Sequence, residues 1–308
     1  MRGRSLLSIA ELTADEVELL LRTALSLKRD GGGHDLLRNK TLALIFEKPS
    51  LRTRVSFDVA MQELGGHAIY LNQAEVGLGQ REPVADVARV LSRYVDVIAA
   101  RTYMHSTLLD LARYAEVPVI NALSDEEHPC QALADLLTVR ERFDSLRGVR
   151  LAFVGDGFNV AQSLAEGAAL AGMSFVMASP DGYSLPEATQ RMVAETAAKN
   201  GGDAEFVEQP ADAVRNADVV YTDVWASMGQ EDSYAERKEA FAGYAITADL
   251  MALAKPNAIF MHDLPAHRGE EVMGDVIDGP QSVVFDQAEN RLHAQKAILA
   301  LTAGDESP

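Results

Sequence analysis

Ser50-Leu51-Arg52-Thr53-Arg54 places two hydroxyls and two guanidinium groups within five consecutive residues. The apolar run Thr41–Phe46 before it reads as a strand. Phe57, Ala60, Met61 and Leu64 after it recur at helical spacing and stop at Gly65-Gly66. The five residues therefore fall on a helix N-terminus, where N–H groups lack intrahelical acceptors and the helix dipole is positive. Such an end is an anion site, and arginine adds a planar fork that matches phosphate oxygens. The chemistry indicated is capture of a phosphate-bearing small molecule. The plain alternative is an ordinary helix cap with exposed arginines.

Four further motifs carry chemistry. In His128-Pro129-Cys130-Gln131 the histidine and glutamine are three apart at a helix start, so both can face one carbonyl-bearing ligand; the alternative is a cap and a surface amide. Cys130 has no local base and reads as a small buried residue. Gly155-Asp156-Gly157-Phe158-Asn159-Val160 follows an apolar strand but lacks the third glycine of a dinucleotide loop, since Val160 stands there. Asn159 instead offers an amide at a strand's carboxyl end. Thr222-Asp223-Val224-Trp225-Ala226-Ser227-Met228-Gly229 offers a carboxylate for a cationic amine, or else a capped turn. His262-Asp263-Leu264-Pro265-Ala266-His267, with Glu270 and Glu271, invites a metal reading. No i, i+4 histidine pair lies on a clear helix, however, and Pro265 breaks the geometry, so no metal is expected. Arg291 opens toward the last helix, either as a ligand contact or as a solvated arginine.

These residues need scaffolding. Strands are expected near 41–46, 67–71, 96–100 and 117–120, then near 151–155, 174–178, 204–207, 218–222, 258–261 and 281–285. Helical patterns lie between most of them. The expected fold is α/β, with two domains, each a doubly wound parallel sheet flanked by helices and joined by interdomain helices. The domains are placed at 1–138 and 139–286, with a C-terminal helix from 287 packing back on the first. A helix over 129–143 links the halves. In 308 residues, 47% are hydrophobic and one is cysteine, which excludes an intrachain disulfide and fits a reducing cytoplasm. No apolar run of membrane length is present, and Glu11, Asp15 and Glu16 interrupt any N-terminal signal core. The formal net charge of −18 argues against nucleic-acid binding. A pocket for an anion must then be locally basic against an acidic whole.

Together the motifs resemble the aspartate/ornithine carbamoyltransferase family over nearly the whole chain. The resemblance rests on the Ser-x-Arg-Thr-Arg loop at 50–54, Arg101-Thr102, the His-Pro-x-Gln set at 128–131, Asp223 with Ser227-Met228-Gly229, the His-x-Leu-Pro-Ala segment at 262–266, and Asn290-Arg291. The Ser-Met-Gly element belongs to the ornithine-using members. The resemblance implies carbamoyl transfer from carbamoyl phosphate to the δ-amine of L-ornithine, giving citrulline and phosphate, with no cofactor. It implies that Ser50, Leu51 (through its backbone), Arg52, Thr53, Arg101, His128, Gln131, Leu264 and Arg291 hold carbamoyl phosphate. Gln80, in a loop at 75–83, would reach a neighbouring subunit of a trimer or a multiple of trimers. Asn159, Asp223, Ser227, Met228 and Asp263 would hold ornithine.

The implied chemistry needs no covalent intermediate. Thr53, Arg101 and His128 would stabilise charge on the carbonyl oxygen, and Arg52, Arg54 or Arg291 charge on the departing phosphate. Two departures stand out. The family's His-Cys-Leu-Pro reads His262-Asp263-Leu264-Pro265, so a carboxylate replaces a thiol beside the reacting amine, where it can raise the amine's pKa or act as general base. The family's intersubunit glutamine falls near Gly77; here Gln73 and Gln80 are the nearby glutamines, and Arg81 is new. Alternative readings are transfer to putrescine or an N-acylated ornithine, a catalytically silent ligand-binding homologue, and a dehydrogenase.

Overall fold

A computed structural model describes residues 1–31, 35–226 and 233–304. The chain divides into two compact units. The first comprises Met1–Leu137 with Glu289–Pro308, the second Thr138–Ala288. Both divisions fall inside helices, Pro129–Phe143 and Val284–Ala303.

The first unit holds a four-stranded, all-parallel sheet of β1 (Thr41–Phe46), β2 (His67–Asn72), β3 (Val97–Arg101) and β4 (Val119–Leu123), in the order β2-β1-β3-β4. Its inner strands are buried almost throughout, as a parallel sheet covered on both faces requires. Ala43, Ile45, Ile98, Ala100, Leu108, Leu111 and Val119 form its core. The order reverses between β1 and β3. In such sheets the crevice beyond the carboxyl ends at that reversal is where ligands bind. Ser50 and Arg101 follow or end those two strands.

The second unit holds β5 (Arg150–Val154), β6 (Ser174–Ala178), β7 (Asp203–Val207), β8 (Val219–Tyr221) and β9 (Ile259–Met261), all parallel, in the order β7-β6-β5-β8-β9. Ala152, Val154, Val176, Val220 and Phe260 lie in its core. Here the order reverses between β5 and β8, the strands that lead into Asn159 and Asp223.

The tenth strand expected at 281–285 does not form. Ser282 makes only an isolated bridge with Phe260, and the helix Val284–Ala303 begins directly after it. Val283 and Val284 are buried but Phe285 is 70% exposed. The segment is thus one bridge at Ser282 and a helix start at Val284, with Asp286 in the first turn where the dipole favours it. Among the described residues no helix is long and apolar enough to cross a membrane.

Candidate active site

In the first unit, Ser50 caps the helix Leu51–Glu63, its hydroxyl accepting the Thr53 N–H at 3.3 Å. Extended backbone at Ser50 (φ −155°) turns the chain from β1 into this helix. Thr53 is buried, Arg52 is half-buried and Leu51 is exposed. Arg54 is also exposed, with its guanidinium 3.8 Å from the centroid of the Tyr70 ring.

Arg101 ends β3. The β3–β4 register slips there, from Ala100 opposite Asn121 to Arg101 opposite Leu123. An extra residue of this kind bends a strand and re-aims its side chains. The Arg101 carbonyl accepts the Glu47 N–H at 2.9 Å, which ties the end of β3 to the turn after β1.

His128 is placed by a turn after β4. The Ser124 N–H donates to the Glu127 carbonyl at 2.9 Å, and the Glu127 N–H donates to the Ser124 hydroxyl at 3.2 Å. The helix then starts at Pro129, which suits a first helical position. Arg291 comes from the last helix and donates to Gln131 Oε1 at 2.6 Å and to Thr53 Oγ1 at 3.1 Å. Gln131 Nε2 donates to Asp135 at 2.8 Å, which orients its amide. Four separate elements thus bring Thr53, Arg101, His128, Gln131 and Arg291 to one buried locus.

Burial, and then the charges of Arg291, Arg101 and Arg52, hold the His128 pKa well below its usual value. The imidazole is therefore neutral, able to donate from one nitrogen and accept at the other. Burial pushes the Cys130 thiol up to about 12, and its Sγ donates to the Asn121 carbonyl at 3.4 Å. It is not a nucleophile. Gln80 is exposed in the loop after the short helix Gln73–Val76, and Arg81 donates to the Glu75 carbonyl there.

In the second unit, Gly155 and Gly157 serve backbone packing. Gly155 has φ +154°, and a Cβ on Gly157 would stand 2.4 Å from the Leu185 nitrogen. The Gly157 N–H donates to the Tyr183 carbonyl at 2.7 Å. The glycines are accounted for without a dinucleotide. Asn159 is buried at the first position of the helix Asn159–Leu170. The Thr222 hydroxyl donates to the Val154 carbonyl at 2.6 Å and locks the end of β8 beside β5. Asp223 follows and accepts the Val224 N–H at 2.6 Å. Ser227 and Met228 lie outside the described residues.

Asp223, His262 and Asp263 offer atoms within 4.8 Å of one another. Burial, then the charge of Asp263 and a hydrogen bond with it, raise the Asp223 pKa well above its usual value. Burial pulls His262 down, yet hydrogen bonds to Asp263 and Glu271 and the charges of Asp263 and Asp223 carry it up to about 9. The Leu264 N–H works the other way: it donates to Nδ1 at 2.9 Å and favours the tautomer with hydrogen on Nε2, which faces Glu271 at 3.3 Å. Both ring nitrogens are engaged, so the group reads as a hydrogen-bonded network rather than a metal set. Leu264 itself has φ +61° and precedes a cis proline.

Sequence reasoning assigned no role to Glu271, the buried carboxylate behind His262, or to Gln287, which accepts the His262 N–H at 2.9 Å. The only signal for Glu271 was the density of carboxylates after His262. Gln287 gave none.

The chain has clear relatives. Residues 4–141 match the family described as aspartate/ornithine carbamoyltransferase, carbamoyl-P binding domain, and residues 147–302 match its Asp/Orn binding domain. Anabolic ornithine carbamoyltransferase of Pyrococcus furiosus is 54% identical, covering 99% of this chain and 98% of the relative. The enzyme of that name from Symbiobacterium thermophilum is 53% identical, covering 98% of each. Among solved structures, ornithine carbamoyltransferase from Pyrococcus furiosus superposes with a TM-score of 0.96 at 54% identity, covering 99% of this chain and 98% of that one. Ornithine carbamoyltransferase from Gloeobacter violaceus superposes with a TM-score of 0.90 at 46% identity, covering 99% and 100%. With an arginine-ringed locus at one sheet reversal, an acid pair at the other, and both family domains matched in order, the chain belongs to the aspartate/ornithine carbamoyltransferase family.

Proposed function

We propose that this protein transfers the carbamoyl group of carbamoyl phosphate to the δ-amine of L-ornithine, releasing L-citrulline and phosphate. The observation that carries this reading is the ring of Arg52, Arg101 and Arg291 around a neutral His128, in a chain whose formal net charge is −18. A basic site in so acidic a protein suits a phosphorylated anion.

The ligand roles follow from the chemistry of each group. The first-turn N–H groups of Leu51 and Arg52, with the Ser50 and Thr53 hydroxyls and the Arg52 side chain, bind the phosphate. Arg101, Thr53 and neutral His128 donate to the carbonyl oxygen, Gln131 takes the carbamoyl NH2, and Arg291 closes on the same ligand. Leu264 lends its backbone to the carbamoyl end. Asn159, Asp223, Ser227 and Met228 hold the amino-acid end of ornithine, and Asp263 faces the reacting amine.

The neutral amine attacks the carbonyl carbon. A C–N bond forms, charge gathers on the carbonyl oxygen, and the C–O bond to phosphate then breaks. The amine's proton passes to Asp263, whose carboxylate shares its site with Asp223. Fixed donors stabilise charge as it develops, and alignment of the two substrates supplies much of the remaining acceleration.

We further propose a trimer, or a multiple of trimers, in which the loop at 75–83 completes a neighbouring subunit's site through Gln80. Exposed Leu51, Val55 and Ile69, together with the edge strand β2, support burial against a second copy. Sedimentation of the intact protein reads this directly; a monomer mass contradicts it. The lone buried thiol suits the reducing cytoplasm we assign.

The function itself is tested by initial rates with carbamoyl phosphate and a panel of amines. Ornithine is expected to exceed putrescine, N-acetylornithine and aspartate in kcat/KM. A preference for any of the other three overturns the assignment of acceptor.

A further inference from the structure

Arg237 lies outside every motif singled out in the sequence, on the short helix Tyr234–Ala240. Its guanidinium nevertheless joins both loops at the β5–β8 reversal. Nη1 donates to Asp156 Oδ2 at 2.6 Å and to the Trp225 carbonyl at 3.0 Å, and Nε donates to the Ser233 hydroxyl at 3.1 Å. The Tyr183 ring lies 5.2 Å from its Cζ, and the Tyr183 carbonyl accepts the Gly157 N–H. The arginine and aspartate side chains are 14% and 10% exposed, so the pair is largely shielded from water.

The two acceptors that Nη1 joins are informative. Asp156 is three residues before Asn159, and Trp225 is two residues after Asp223. Trp225 in turn stacks on Phe241, which caps the same helix, at 5.8 Å and an interplanar angle of 15°. The helix therefore grips the Trp225 segment twice. A planar guanidinium can hold a carboxylate and a carbonyl at fixed angles, which an ammonium on a flexible stem cannot.

We propose that Arg237, paired with Asp156, is a positioning residue for the amino-acid acceptor, setting the spacing between Asn159 and Asp223. This rests on the reading of those two residues as acceptor contacts. Arg237 does not touch the reacting atoms, and its loss loosens one substrate's site only.

The test is steady-state kinetics of Arg237→Gln, Arg237→Lys, Asp156→Asn and the double variant R237Q/D156N, with each substrate varied in turn and the thermal midpoint recorded. Arg237→Gln is expected to lower kcat/KM for ornithine by about 10–100-fold, as a misplacement of order 1 Å does, mainly through KM. Arg237→Lys should lose several-fold less, and KM for carbamoyl phosphate should stay within about twofold of wild type. The double variant should be about as impaired as R237Q alone, since both substitutions break one link. Equal losses for both substrates that track a lowered thermal midpoint overturn the proposal, as does an unchanged KM for ornithine. Arg237→Lys, which keeps the charge, guards against a variant that fails to fold. If the wild-type protein uses another amine, the ornithine assignment fails, and the same selective rise in KM, read with that amine, still supports Arg237 in this role.

Discussion

Arg101→Met is expected to lower kcat by about 10²–10³-fold, the usual cost of removing one fixed donor from a developing oxyanion. Arg101 is only 6% exposed, and its backbone carbonyl joins β3 to the turn after β1. An unbranched apolar replacement keeps that link and much of the volume, so the thermal midpoint should move little. The substitution has a second consequence. Arg101 is one of three arginines that depress the His128 pKa, so its removal lets that pKa rise. Burial, the leading cause, and the charges of Arg291 and Arg52 remain, so the imidazole stays neutral and the deficit is expected at pH 6 and pH 8 alike. A loss below tenfold contradicts this role.

Asp263→Asn is expected to lower kcat by about 10²–10³-fold, in the range for loss of a general base. Asp263→Cys tests the charge itself. With a carboxylate beside it, the reacting ammonium is stabilised and its pKa raised, so the ascending limb of the pH–rate profile lies high. Asp263 also helps raise Asp223. A neutral thiol removes both effects, and both shifts have the same sign: the limb moves to lower pH. An unchanged profile in Asp263→Cys excludes Asp263 as the source of the high limb.

Residues 50–54 were legible in the sequence because their geometry is local: strand, cap and helix start are written in adjacent positions. The parallel α/β architecture followed from the alternation of apolar runs and helical spacing. What was not legible depends on pairing across the chain. The register slip that aims Arg101 belongs to β3 and β4 jointly, and no composition marks it. Residues 281–285 look like a strand because a short apolar run cannot distinguish a strand from a helix start. The convergence of Arg291 on Thr53 and Gln131 joins residues 238 and 160 positions apart, and Arg237 meets Asp156 across 81. Glu271 was visible only as one carboxylate among several, whereas its burial behind His262 defines its place in the network.

The central claim is that one bond to phosphate is exchanged for one bond to the δ-nitrogen of ornithine. The most direct measurement follows 13C-labelled carbamoyl phosphate and 15N-δ-labelled ornithine by NMR alongside phosphate release. The account predicts a 13C–15N coupling in citrulline that appears in equimolar step with inorganic phosphate. Phosphate released without that coupled signal, or label found on the α-nitrogen, contradicts it.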